Sequence, residues 1–578
     1  MRRRVYSAAV AVLLMIAGLA PVAAADDRSG GCDWTQWGQS AAHDGQVCVR
    51  GQRDLRLLTR MVLDPFAEQE TADNFGALGG HFPVPLLDGD GNVFVLRKGG
   101  SYVSCDPPGS GQPAPCGLDP GNLNRMTWSV QALRWEHDRL TPKWTFTSDW
   151  KPLQTGFEAL IQSALSGDSV YVPGAGGTVF QLSKGTGRVV RRINPFGDAI
   201  DPQTFVSGGL TLDAHGTLFY NVIKLEPGPT SVTDGHGWLV RAGRDRMTMV
   251  DYRTLVPDAP RPTDLCFATF LTAGLSPPFP PPPQPDGSPT LPPRTLCLSQ
   301  RPGLGVAPAI GADGTIFTVT RSHSQENYGY LVALKPDLGL KWATSLRLNF
   351  TDGCGVRTPY GDGFFDCRSG STVGVDSFTN LPGVAGVNDF SSASPVALPD
   401  GGVVYGSRSL YNRGRGHLVK FDGRGRFRAS YDFGWDSTPG VYRHDGTYSL
   451  LTKDNHYVDP DGEFNLTRLD AGLNVVWSFT NTETRTCQRN PDGTISCADD
   501  GTHPNGFEWC ISAPAIDRDG TVYGLSEDGN LYVVDNRGHL RERVFLSKTL
   551  AASYTPVSID QHGLVYAQNN GELYVLGH

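Results

Sequence analysis

The sequence predicts an all-β chain built from one small unit of strands and tight turns, repeated around a closed ring. Three observations predict it. The last stretch says one phrase twice, ISAPAIDRDGTVYGLSEDGNLYVVDNRG from Ile511 and SYTPVSIDQHGLVYAQNNGELYVLGH from Ser553. Gly520 and Gly563 mark the same point of each copy, about 43 residues apart, the period of a four-stranded β-propeller blade. The chain of 578 residues carries 70 Gly and 42 Pro, the turn formers such a ring consumes.

From the N-terminus, MRRRVYSAAVAVLLMIAGLAPVAAADD places three arginines before an apolar run and a small-residue cleavage site at Ala23-Ala24-Ala25. Residues 1–25 read as a secretory signal peptide, and residues 26–578 as a single propeller domain. No later apolar stretch is long enough to span a bilayer, so the mature chain is expected to have no membrane span. Net charge is −9 with mixed signs, which excludes a basic surface for nucleic acid. The expected location is secreted or extracytoplasmic, and the expected state a monomer.

The 11 cysteines support that compartment. Ten form close pairs: Cys32 with Cys48, Cys105 with Cys116, Cys266 with Cys297, Cys354 with Cys367, and Cys487 with Cys497. These read as local disulfides. Cys510 follows the last pair, and spacing leaves open which of Cys487, Cys497 and Cys510 is unpaired. With no C-x-x-C and no clustered His, no metal site is expected.

The segment Arg53 to Asp64 has the apolar content of a strand but no unit of its own, and the chain stops one strand short after Leu573-Tyr574-Val575. The first is therefore expected to complete the last blade and close the ring, removing the open edges. Between them the phrase recurs at Phe82, Gln162, Ser207, Ala307, Ser394 and Thr438. With the two terminal copies this makes eight blades; seven is the alternative, because the copy at Gln162 is weak in its first strand. Asp-Gly turns between alternating strands mark hairpins rather than helices. Insertions interrupt the units near 97–130, 253–303, 349–390 and 481–510, and hold most of the cysteine pairs. The run PPFPPPPQP is expected to be an extended surface excursion.

The unit S/A-x-P, an apolar strand, G-x-V-Y and G-x-L-Y-V-V-D, with Trp342 and Trp477 near outer strands, resembles the pyrroloquinoline-quinone-like propeller repeat. Trp34-x-x-Trp37-Gly38-Gln39 with His43-x-Gly45 is similar to the opening of that superfamily. The resemblance implies an eight-bladed ring and either of two roles: a dehydrogenase using the quinone (PQQ) and calcium, or a binding and assembly protein. The enzyme features are missing. No two cysteines are adjacent, there is no C-x-x-C-H haem site, and the A-x-D-x-x-T-G-x-x-x-W docking phrase survives only in pieces, at Thr186-Gly187 and at Asp470-x-Gly472 with Trp477. No cofactor is expected and no catalytic residue is assigned. The function read is a non-catalytic binding or scaffolding protein for a protein or glycan. The alternative is a quinone-dependent oxidoreductase or a carbohydrate-active enzyme.

Loops leading into innermost strands converge on one face of a propeller. There the sequence offers His81, Glu158, Gln162, Asn388, Asp389, Trp435, Asp436, Glu508, Trp509 and Tyr554 as ligand-binding candidates, with Phe75 and Phe390 beside them. Aromatic faces with carboxylate and amide partners suit a sugar or a cation. Asp88-x-Asp90-Gly91, Asp459-x-Asp461-Gly462 and Asp517-x-Asp519-Gly520 look like calcium-loop beginnings. They lack the glycine at the sixth place and the glutamate at the twelfth, and read as hairpin turns.

Overall fold

The structure is a computed structural model that describes residues 32–78, 82–153, 160–229, 232–347, 349, 351–358, 361–362, 367–382, 385–409, 411, 414–457, 462–490, 492–511, 513–550 and 557–578. Eight blades, each with four antiparallel strands, follow one another in chain order; blade 3 adds Ile161–Gln162 in parallel and blade 4 adds Gln300–Pro302. Blade 1 runs from Leu86 to Ser148, blade 2 from Ala164 to Ile193, blade 3 from Thr204 to Asp251 and blade 4 from Ala309 to Ser345. Blade 5 runs from Val396 to Tyr431, blade 6 from Gly440 to Thr480, blade 7 from Ala515 to Phe545 and blade 8 from Val557 to Gly577. The fourth strand of blade 8 comes from the other end of the chain: Arg56–Val62 pairs antiparallel with Glu572–Gly577, closing the ring as expected. Blade 2, the weakest copy, has all four of its strands. Among the described residues only three short α-helices occur, the longest being Ala67–Asp73.

Each blade begins on the same face, called the top here. Strands alternate in direction, so first-to-second and third-to-fourth turns lie at the bottom. Second-to-third loops and crossings to the next blade lie at the top. The insertion at 97–130 joins the second and third strands of blade 1. Those at 253–303, 349–390 and 481–510 are crossings between blades. All four therefore rise from the top.

The five expected disulfides are all present. Cys32 is bonded to Cys48, and Cys105 to Cys116. Cys266 is bonded to Cys297, Cys354 to Cys367, and Cys487 to Cys497. Cys510 is the cysteine outside them, which decides the choice that spacing left open. Cys487 and Cys497 face each other across a two-stranded hairpin, Arg485–Arg489 against Ile495–Asp499, so the local pairing wins. The proline-rich run is only partly an excursion. Phe279 is buried against Phe270 and Phe378, and its carbonyl accepts from Arg368 N of the next insertion at 2.6 Å, so the apolar ring anchors the run.

Many bottom turns are held by their own aspartates. Asp88 Oδ1 accepts from the backbone N–H groups of Asp90 and Asn92, and Asp517 Oδ1 from Asp519 and Thr521. These carboxylates are occupied as turn acceptors. The turn at Asp459 and Asp461 lies outside the described residues.

Blades dock through tryptophan. Trp144, Trp342 and Trp477 stand on the outer strands of blades 1, 4 and 6, and each indole N–H donates to the bottom turn of the next blade, at Lys184 O, Gly423 O and Asn536 O. A glycine at positive φ faces each ring: Gly187, Gly425 and Gly538. A Cβ at Gly538 would stand 2.9 Å from the Trp477 ring, so glycine is required there twice over.

Candidate functional site

The axis is closed at the bottom by a hub that the sequence pattern did not reveal. The segment from Trp34 to Gln52 circles the lower ends of the innermost strands and bonds to every blade in turn. Trp34 exchanges backbone hydrogen bonds with Leu87, and Leu165 N donates to Thr35 O. The Gln36 amide brackets the Leu212 backbone. Ala41, Ala42 and Asp44 carbonyls accept from Ile310, Ala397 and Val441; Gly45 and Val47 pair with Ile516; Gln52 donates to Gly563 O. The bond between Cys32 and Cys48 joins the two ends of this loop. Trp37 is fully buried against Leu160, Ala307 and Ala513, the two alanines standing directly before Pro308 and Pro514 of their repeats. His43 Nδ1 lies 2.8 Å from Pro395 O, and burial pushes its imidazole down to about 4.

The top is where side chains converge, and the expected candidates fall into three groups. His81, Glu158 and Tyr554 lie outside the described residues. Gln162 and Trp509 are buried in the fold itself. Gln162, on a short strand that pairs in parallel with Gly208 and Gly209 of blade 3, accepts at Oε1 from Val84 N at 2.7 Å; Trp509 is 1% exposed, with its indole N–H on Phe464 O. Packing claims both, because a large side chain beside an inner strand faces the next blade as readily as the axis.

The remaining candidates form a connected wall over blades 4 to 7. Asp389 receives both guanidinium nitrogens of Arg301, at 2.8 and 2.5 Å, and Arg321 at 3.0 Å. Burial works to raise this carboxyl, but the Arg301 and Arg321 charges outweigh it and hold the group well below the ordinary carboxylate range. Asn388 donates to Glu326 at 2.5 Å, and Glu326 pairs with Arg408. Asp436 is buried at positive φ and accepts from Ser392 N at 2.7 Å and from the Ser391 and Ser392 hydroxyls. The Arg415 guanidinium stacks between Trp435, 5.0 Å from the ring centre, and Tyr457, at 3.9 Å. Tyr457 donates its hydroxyl to Glu508, which Asn455 also reaches at 3.4 Å. Lys453 is buried within range of the Asp436, Cys510 and Glu508 charges; its burial lowers the ammonium, and burial raises the Cys510 thiol. Phe75 and Phe390 are exposed, at 86% and 53%.

The cations Arg301, Arg321, Arg415 and Lys453 are what sequence reading missed. A signal existed: a carboxylate placed beside an inner strand is shielded from water and requires a counter-charge.

No protein-family model matches the sequence, and no curated protein does either. Solved structures match its shape. The quinohemoprotein alcohol dehydrogenase from Comamonas testosteroni superposes with a TM-score of 0.51 at 11% identity, over 95% of this chain and 81% of that one. The fold is that of the quinoprotein propellers. Quinohemoprotein alcohol dehydrogenase ADHIIG from Pseudomonas putida HK5 follows with a TM-score of 0.49 at 8% identity, over 94% and 80% of the two chains. BamB from Moraxella catarrhalis gives a TM-score of 0.36 at 11% identity, over 91% and 98%.

Proposed function

We propose that this chain is an exported, non-catalytic binding protein that engages a protein or glycan through the top of its propeller. One observation carries the reading: every large insertion, with four of the five disulfides, rises from the face on which the inner-strand loops converge. Cross-linked loops on a rigid ring are a binding surface held in shape, and the exposed Phe75 and Phe390 rings add apolar contact there. The signal peptide, export and a monomeric state belong to the same reading. The disulfides favour an oxidising compartment. No helix among the described residues is long and apolar enough to cross a membrane.

The rim carboxylates Asp389, Asp436 and Glu508 speak against the calcium of a quinone site. Calcium takes six or more oxygen ligands, with carboxylates prominent among them. Three described rim carboxylates are already engaged: Asp389 is held by two guanidiniums, Glu508 by Tyr457 and Asn455, and Asp436 by Ser391 and Ser392. Releasing any of them would strand a buried partner. The same engagement leaves Asp389 and Glu508 without the room a general acid and base pair needs for substrate.

The test is an absorption spectrum of the mature exported protein with added quinone and calcium, paired with native mass spectrometry. The expected outcome is no stoichiometric uptake, with capture of a glycan or protein partner instead. One quinone bound per chain would overturn this reading in favour of an oxidoreductase.

A further inference from the structure

Asp432, Asp454 and His456 converge at the top between blades 5 and 6. Asp454 and His456 are two residues apart on the second strand of blade 6, Thr447–His456, so their side chains leave the same face. Asp432 follows the last strand of blade 5, Phe427–Tyr431. Each of the three offers a ligand atom within 4.8 Å of the other two. The side chains of Asp454 and His456 are 0% exposed and that of Asp432 is 15% exposed.

The hydrogen bonding of Asp454 is lopsided. Its Oδ2 accepts from the Tyr431 hydroxyl at 2.7 Å and the Thr467 hydroxyl at 2.8 Å. Its Oδ1 is sealed from solvent and faces His456 Nε2 at 2.7 Å, so the group opposite it is a donor only while that imidazole nitrogen is protonated. Asp432 Oδ1 is also sealed without a hydrogen bond among the described residues, while Oδ2 stands 3.8 Å from His456 Nδ1. With His456 neutral and Nε2 unprotonated, both sealed carboxylate oxygens face no proton, a costly state that a bound cation removes. The imidazoles facing these carboxylates, His456 and His417, carry charge only when protonated, and His417 is already 3.0 Å from Asp352.

We propose that Asp432, Asp454 and His456 bind one divalent transition-metal ion of the zinc class, clamping blade 5 to blade 6. The donor set decides the class. Calcium and magnesium take oxygen alone, whereas zinc accepts imidazole nitrogen with carboxylate oxygen and commonly keeps a fourth place for water. Asp432, the partly exposed ligand, marks the route in. Tyr431 and Thr467 fix the Asp454 carboxylate so that Oδ1 faces the ion, the outer support that metal carboxylates require. The pattern Asp-x-His with an aspartate 22 residues earlier matches no zinc-finger spacing, which is why the sequence did not show it. The site stands apart from the binding-face reading and does not depend on it.

The experiment uses the full mature chain, stripped with chelator and titrated with zinc chloride by calorimetry, with cobalt chloride absorption as a second readout. One ion per chain is expected, with cobalt giving the visible bands of a low-coordinate nitrogen–oxygen site. Asp432→Asn and His456→Gln should abolish uptake with the far-ultraviolet circular dichroism unchanged. Thr467→Val should weaken it about 10–100-fold. If His456→Gln fails to fold, Asp432→Asn decides, because that position is partly exposed. No uptake by folded wild-type protein, or equal uptake by Asp432→Asn, would overturn the proposal.

Discussion

Asp376 shows how burial sets the chemistry of single groups in this ring. Its carboxyl is buried at the base of an insertion, and desolvation drives it from 3.8 up to about 7, against the bonds from Thr379 Oγ1 and Phe378 N. In the unfolded chain the same group loses its proton near the ordinary value. Between those values the native state binds more protons, so stability falls as pH rises through that window. Asp376→Asn should remove this slope. Comparing thermal unfolding at about pH 5 and about pH 8, the variant should gain on wild type at the higher pH. A constant difference would show that the proton is not held there. Asp389 illustrates the opposite balance, because two guanidiniums keep it ionised in a buried place. Its identity as a rim residue was legible in the sequence; its partners were not, since Arg301 and Arg321 lie 88 and 68 residues away.

At the scale of strands and turns, the chain repeats one solution. An aspartate closes many of the bottom turns with its own side chain, and in blades 1, 4 and 6 an outer-strand tryptophan clips onto the next blade. Gly538→Ala should destabilise by about 2–4 kcal/mol, combining left-handed strain with collision against Trp477. Gly446, also at positive φ but with open space beyond it, is the control. Gly446→Ala should cost only the strain, about 1–2 kcal/mol. Equal costs in urea unfolding would show that the tryptophan clip contributes nothing. The Thr186-Gly187 fragment of the docking phrase did have its tryptophan: Trp144 reaches it from the preceding blade. The phrase lies within one repeat, whereas the contact runs between two.

For the whole molecule, closure is achieved twice. Arg56–Val62 zips blade 8 shut at the rim, and the loop from Cys32 to Cys48 ties the blades together at the axis. Replacing both cysteines, Cys32→Ser with Cys48→Ser, frees a loop with a sequence separation of 16, which should cost about 3 kcal/mol of unfolding free energy. The expected result is a lower urea midpoint with the blades still formed. An unchanged midpoint would show that the hub holds through its hydrogen bonds alone. A closed bottom also directs any ligand to the top, where the insertions stand.

The sequence by itself determined the propeller, the strand that closes the ring and four of the five disulfides: Cys32 with Cys48, Cys105 with Cys116, Cys266 with Cys297, and Cys354 with Cys367. Those features are local or periodic: turn chemistry, alternation and close cysteine spacing act within a few tens of residues. Eight blades over seven was decided by the structure, where the weak copy after Gln162 has all its strands. The fifth pair was legible as a close pair, but the structure was needed to place Cys510 outside it. Only the tertiary structure decided which side chains meet. Trp37 under Ala307 and Ala513, Asp389 between two arginines, and Asp432 facing His456 are brought together by the ring. The ring sends successive blades past one axis, so neighbours in space are set by blade order and depth along the axis, neither of which leaves a mark in the spacing of residues.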